Sequence, residues 1–271
     1  MPVISAYSDG VPVVAYCLMS MDGHIYAERN TNLRFYSAST IKLPVLIAVL
    51  RAVDAGMLSL DQELIWRNSF SSGISGAAEF SMEPDEIDQG MPPTGQPVAL
   101  RQVLRRMITI SSNEATNMAV KLVGFDAVNA VLTQLGAVSS TMERLIGDLA
   151  ALAAGRTHEV TAGDLARIMH AVVSGRAAGP ASTSLMLEFL QAQEFGLIGP
   201  ALSGVHWGSK SGWVTGIEHD VAFIVPDGCL AAAPLAEGCV LAVCTRGYEP
   251  DAATEIIQSA AQLAWEIRRS A

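Results

Sequence analysis

The sequence predicts an α/β fold of the α+β kind: an antiparallel sheet drawn from both ends of the chain, flanked by helices, with an all-helical part inserted between the ends. Three observations predict it. β-rich runs occupy the first 37 residues and the last third, the middle repeats its apolar residues at three- and four-residue spacing, and 50% of the 271 residues are hydrophobic, enough for a large core. The expected organisation is one domain, 1–271, with a sheet-bearing part from about 1–55 and 200–271 and a helical part from about 56–199.

Taken in order, VVAYCLMS and HIYAE are β-rich runs separated by Met21-Asp22-Gly23, which suits a hairpin. From Ser39 the pattern becomes an almost wholly apolar helix, TIKLPVLIAVLRAVDAG, with Ser39 as a possible N-cap, Pro44 tolerated in the first turns and Gly56 as the stop. Residues 66–97 are rich in Gly, Ser, Pro and acidic side chains, as expected of a long surface connection beside a site. VALRQVLRRMI, NEATNMAVKLV and FDAVNAVLTQL then read as three helices, residues 136–160 are ambiguous, and two more helices follow in TAGDLARIMHAVV and STSLMLEFLQAQ. VHWGSKSG, HDVAFIVP and CVLAVCTRG return to strands before a terminal amphipathic helix, ATEIIQSAAQLAWEI.

Bulk properties exclude some partners. Seventeen basic against 27 acidic residues leave a formal charge of −10, and the basic residues form no aromatic-interleaved stripe, so a nucleic-acid partner is not expected. No apolar run reaches the length needed to span a bilayer, so no membrane association is expected, and the oligomeric state is open. The N-terminus shows no basic n-region and no small-residue cleavage site, which gives a cytoplasmic location as the expectation. Cys17, Cys229, Cys239 and Cys244 lack zinc-ligand spacing and sit in apolar, strand-like surroundings, where reduced structural thiols are expected.

Three short motifs could carry chemistry. Ser39-Thr40-Ile41-Lys42 sets a hydroxyl and an amine at i and i+3 on one helix face, about 5–6 Å apart at Cβ. A lysine kept neutral by an apolar setting and nearby positive charge can take the serine proton; an N-capping serine beside a snorkelling lysine accounts for the spacing as well. Ser111-Ser112-Asn113 lies between two helical patterns and also reads as an N-cap group. Lys210-Ser211-Gly212 lies near a strand end and also reads as an exposed turn.

In their order and contexts these residues resemble the three motifs of class A β-lactamases and related penicillin-binding proteins: Ser-x-x-Lys opening a buried helix, Ser-x-Asn after an ITI helix end, and Lys-Ser/Thr-Gly on a late strand. The likeness runs from about Val13 to the terminal helix and implies a β-lactamase/transpeptidase-like fold. It implies Ser39 as the acylated nucleophile, Lys42 as its proton acceptor, Ser111 as a relay to the leaving nitrogen, and Lys210 as a charge that lowers the pKa around Ser111 and attracts a substrate carboxylate. Asn113 is implied to bind an amide carbonyl, Ser211 a carboxylate, and the backbone N–H groups of Ser39 and Trp213, beside Gly212, an oxyanion.

The pattern departs in one loop. Hydrolytic relatives place a glutamate two residues after an arginine to activate the deacylating water; here Arg144 is followed at that position by Ile146. Asp148 is the nearest acidic alternative, with a helix-capping or Arg-pairing role competing, and Glu143 is a weaker one. The strand after Lys210 lacks the arginine that many relatives use to grip a carboxylate; His219 could substitute, against a reading as a partly exposed structural histidine. The expected function is a serine hydrolase forming an acyl-enzyme at Ser39 on a small β-lactam, amide or ester, with slow β-lactam deacylation and no metal or organic cofactor. A covalent penicillin-binding or sensing module without turnover is the alternative, and a scaffold without chemistry a third.

Overall fold

The computed structural model describes residues 2–227 and 237–268. The apolar runs at the two chain ends become five antiparallel strands: β1 Val13–Ser20, β2 Ile25–Arg29, β3 Val205–Val214, β4 Ile217–Pro226 and β5 Cys239–Arg246. They order as β3-β4-β5-β1-β2, so the two ends of the chain meet where β5 pairs with β1, with Cys239 opposite Ser20 and Cys244 opposite Ala15. The β1–β2 hairpin turns where Met21-Asp22-Gly23 is expected to turn, with Gly23 at φ +93°, a left-handed conformation open to glycine.

β1, the second half of β4 and most of β5 are apolar almost throughout because both faces of the sheet are covered there. Ala15, Cys17 and Met19 of β1 with Val240, Ala242 and Cys244 of β5 point into the larger core, while Leu18, Leu241 and Val243 point into a second one. The second core is closed by the C-terminal helix α7, Pro250–Ile267, through Ile257, Ala261 and Trp265. The first is closed by α5, Ala162–Val173, and by α1, Lys42–Asp54, whose residues 42–50 are all buried. A helix apolar all round needs neighbours on every side, and α1 has them in α2 (Leu100–Thr109), α3 (Asn113–Gln134) and α6 (Pro180–Gln191). Since α5 packs on the sheet, the layers do not follow the chain boundary at residue 199.

Several local expectations change. The third helical pattern continues α3 across a kink at Gly124 (φ +80°, ψ +161°). The connection 66–97 contains the short pair Ser69–Phe70 with Phe80–Ser81, and its end, Pro97–Ala99, pairs with Glu63–Ile65. The ambiguous stretch 136–160 holds a five-residue helix α4, Leu149–Ala153, and the strands Thr141–Met142 and His158–Val160. Before β1 a small hairpin pairs Ile4–Ser5 with Ser8–Asp9. Cys17, Cys239 and Cys244 are free and buried, and burial pushes the thiol pKa of Cys17 up to about 11 and that of Cys239 to about 12; Cys229 lies outside the described residues. No described helix is long and apolar enough to cross a membrane.

Candidate active site

Ser39 stands in a 3-10 turn, Ala38–Ile41, that runs directly into α1. The expectation that Ser39 caps the helix is corrected: the N-cap position of α1 is Ile41, which makes no side-chain hydrogen bond. Thr40 ties the turn down instead, donating its hydroxyl (2.6 Å) and its backbone N–H (3.2 Å) to the Ser37 carbonyl. Ala38, just before the serine, has φ +44°, a left-handed conformation that costs a non-glycine residue about 1–3 kcal/mol and persists only where the surroundings impose it. The imposing element is β3. A Cβ on Gly212 would lie 2.5 Å from the Ser39 nitrogen and 2.9 Å from that of Thr40, so only a glycine lets the strand lie against the turn.

Lys42 is fully buried and does not bond Ser39. Its Nζ reaches across to the loop between α2 and α3, donating to the Ser111 carbonyl and to Asn113 Oδ1 (2.8 Å) and meeting Ser111 Oγ at 3.1 Å. Burial, then the charge of Lys210, holds the Lys42 amine well below the ordinary lysine range, with Glu114 and Glu86 pulling weakly the other way. The Ser39 side chain makes no hydrogen bond among the described residues, and Ser111 itself is held at φ +63°.

Lys210, from β3, completes the convergence: its Nζ donates to Ser111 Oγ (3.1 Å) and to the Ser211 carbonyl (2.7 Å). Burial lowers its pKa to about 7 against the opposing pull of Asp220. One hydroxyl, Ser111, thus bridges two buried amines. Both helix-loop residues are where their local sequence puts them, because Ser112 caps α3 by accepting from the Ala115 N–H and also donates to buried Glu114.

The position of the Trp213 N–H follows from register. The two-residue turn Thr215-Gly216 makes Val214 and Ile217 a hydrogen-bonded pair, and alternation leaves Trp213 opposite Glu218 as a non-bonded pair whose edge-side N–H faces away from the sheet. The Glu218 carbonyl accordingly points the other way and accepts from the Thr245 hydroxyl at 2.7 Å. Trp213 is 48% exposed, packs edge-on against Phe195, and lines with Ser39, Ser111, Asn113 and Ile146 a cleft of about 490 Å³.

Two expected substrate contacts are not brought to this cleft. His219 is fully buried, its Nε2 at 3.0 Å from the Tyr36 carbonyl and its Nδ1 at 3.2 Å from the Thr245 N–H, and burial lowers its pKa to about 4. Both readings of it are therefore corrected: it is neither a carboxylate grip nor partly exposed, because the strand's alternation turns it under the nucleophile turn. Ser211 is also buried, and its Oγ has no hydrogen-bond partner among the described residues.

The loop facing the nucleophile carries Ile146 into the cleft. Asn117, one turn beyond Asn113 on α3, fixes its backbone by donating to the Ile146 carbonyl (2.8 Å) and accepting from its N–H (2.9 Å). Asp148 is spent on structure: it caps α4 through Ala151 N–H and accepts from Ser72 Oγ and Gly73 N–H, which outweigh the effect of burial and hold its pKa below the carboxylate norm. Glu143 is exposed and accepts from the Thr157 N–H. Asn117, Glu114 and Asp220 escape sequence reading because their backbone partners, Ile146 for the first, Asp88 for the second and Leu197 with Ile198 for the third, are distant in sequence. Among the described residues no cluster of His, Cys, Asp and Glu is arranged to hold a metal ion.

A family model described as the beta-lactamase enzyme family matches residues 3–267. Among solved structures, the chain is similar to a beta-lactamase from Sphaerobacter thermophilus, with a TM-score of 0.78 and 29% identity over 97% of this chain and 94% of that one. It is similar to PBP-A, TM-score 0.76 and 22% identity over 96% and 91% of the two chains. A mutant of PBP-A in an acyl-enzyme complex with penicillin G matches over the same shares, with TM-score 0.76 and 21% identity. No curated protein sequence matches the chain.

Proposed function

The chain belongs to the beta-lactamase enzyme family, a family of serine hydrolases, and from that premise we propose that it forms an acyl-enzyme at Ser39 on a β-lactam, amide or ester and releases it slowly. The observation that carries the reading is the convergence of Lys42 and Lys210 on the Ser111 hydroxyl, in the cleft that Ser39 also lines. Ser39 Oγ attacks the carbonyl carbon as its proton passes to the free-base form of the Lys42 amine, which burial favours, and the oxyanion is held by the N–H groups of Ser39 and Trp213. Collapse breaks the bond to the leaving nitrogen or oxygen, which takes its proton from Lys42 through Ser111. Asn113 Oδ1 already holds Lys42, so its amide N–H groups serve a substrate carbonyl.

Slow release follows from the opposite wall. Hydrolysis of the ester needs a water activated by a base, and the loop presents Ile146 where the family places a glutamate, with Asp148 committed to Ala151, Ser72 and Gly73. That same observation supports the second reading, a module that captures a penicillin covalently and holds it. Intact-mass spectrometry over time after adding penicillin G and, separately, an activated ester decides. An adduct with slow product release supports the enzyme, an adduct that persists through many hours supports capture, and no adduct with either compound overturns both.

A further inference from the structure

Arg144 is a buried cation with no carboxylate. It is 2% exposed, forms no ion pair among the described residues, and lines the same cleft as Ser39. Its Nη1 donates to the Leu145 carbonyl (3.2 Å), its Nη2 to the hydroxyls of Tyr36 (3.0 Å) and Tyr7 (3.3 Å), and its Nε–H is buried without a partner. Tyr7, at the tip of the N-terminal hairpin, stacks on Tyr36 with ring centroids 3.8 Å apart, and the guanidinium lies 5.7 Å from the Tyr36 ring. Asp148, a buried acid on which the Arg144 charge acts, has its oxygens occupied elsewhere. A guanidinium left unpaired away from water is costly, whereas its planar fork matches a carboxylate.

His219 and Lys210 are fully buried and do not line the cleft, and among the residues that line it Arg144 is the one cationic side chain. We propose that Arg144, with the Tyr7 and Tyr36 hydroxyls, is a receptor for a carboxylate on the substrate, so that the preferred substrates are amides or esters bearing an anionic group that reaches it. The Tyr7 contact, the longest of the three, is the one such a group displaces. The proposal rests on Ser39 being the acylated residue.

The test compares two activated esters of matched chain length, the para-nitrophenyl monoester of glutarate, which carries a free carboxylate, and para-nitrophenyl pentanoate. In each the bond to nitrophenolate breaks, the acyl group joins Ser39 Oγ and the hydroxyl proton goes to Lys42; the burst of nitrophenolate gives the acylation rate. With a chain of net charge −10 and with Asp85 and Glu86 also lining the cleft, general electrostatics favours the uncharged ester. The receptor predicts the reverse, about tenfold or more faster acylation by the glutarate ester, maintained at about pH 8.5, where Lys210 has lost most of its charge. In Arg144→Gln the ratio falls to about one or below. An equal or lower rate for the glutarate ester in the wild-type protein, a preference that fades as pH rises through about 7 and so follows Lys210, or a ratio unchanged in Arg144→Gln overturns the assignment. Should Arg144→Gln not fold, free glutarate must slow pentanoate acylation in the wild-type protein more than uncharged glutaramide does; equal effects overturn it. If neither ester acylates the protein, the fault lies with Ser39, and the receptor is then judged by whether glutarate raises the wild-type melting temperature while glutaramide does not.

Discussion

The two walls of the cleft are built on different principles. On the wall formed by the nucleophile turn, the α2–α3 loop and β3, three separate segments deliver two hydroxyls, two buried amines and an amide, and the packing holds Ala38 and Ser111 in left-handed conformations to do so. On the loop wall, residues 143–156, the polar side chains of Glu143, Asp148 and Arg156 are committed to partners that hold the loop in place, and the side chains that line the cleft are Arg144 and the hydrocarbons of Ile146 and Leu149. Under the proposed mechanism, making the acyl-enzyme and breaking it are separable, because the groups for each step sit on different segments of the chain.

Changes on the first wall should have the largest effects. Replacing Lys42 by Met removes the base while filling its space, and burst kinetics with penicillin G should show acylation slowed by about 10²–10⁴; unchanged bursts would remove Lys42 from that role. Gly212→Ala forces a Cβ to within 2.5 Å of the Ser39 nitrogen and must separate the two oxyanion donors. A loss of about 10²–10³ in acylation rate is expected where such a donor is lost, with circular dichroism unchanged; a variant as fast as wild type would mean that β3 does not hold the turn.

Loop-wall changes should be milder on acylation and stronger on stability. Asn117→Ala removes two hydrogen bonds to the Ile146 backbone, and urea unfolding should show roughly 1–3 kcal/mol lost with the acylation burst within a few-fold of wild type. Acylation collapsing along with stability would show that the walls are not independent. The smallest effect concerns acid. His158 is fully buried with no hydrogen-bond partner on either nitrogen among the described residues, and burial, then the charges of Arg144 and Lys42, lower its pKa to about 3. Between that value and the unfolded value of about 6.5 the unfolded chain binds a proton that the folded chain refuses, so His158 makes stability fall as pH falls through this window. Asp220 and Glu218, raised by burial, act in the opposite sense. The His158 contribution is therefore the slope that disappears in His158→Phe when urea midpoints at pH 7 and 5 are compared; an identical slope contradicts it.

Much of this was legible in the sequence, and the reasons are local. The sheet could be read from its ends because β1, β4 and β5 each contain a β-rich apolar run, and the helices because α2 and α5 repeat at three and four residues. That Lys42, Ser111 and Lys210 meet in the cleft that Ser39 lines could be anticipated because each lies in a short motif of fixed spacing. The failures have one cause. His219 sits beside a motif, yet strand alternation turns it inward to the Tyr36 carbonyl, and Arg144 is an ordinary loop arginine until Tyr7, Tyr36 and an absent carboxylate are seen around it. Such surroundings come from residues over 100 positions away, which no local pattern carries.

The most direct measurement is a time course of intact mass and peptide mapping after a single dose of penicillin G on wild type, Ser39→Ala and Ile146→Glu. The account predicts one adduct on the Ser39 peptide of wild type that decays slowly, none on Ser39→Ala, and an adduct on Ile146→Glu that forms at a similar rate but decays faster. An adduct that survives Ser39→Ala, or one that maps to any other residue, contradicts it.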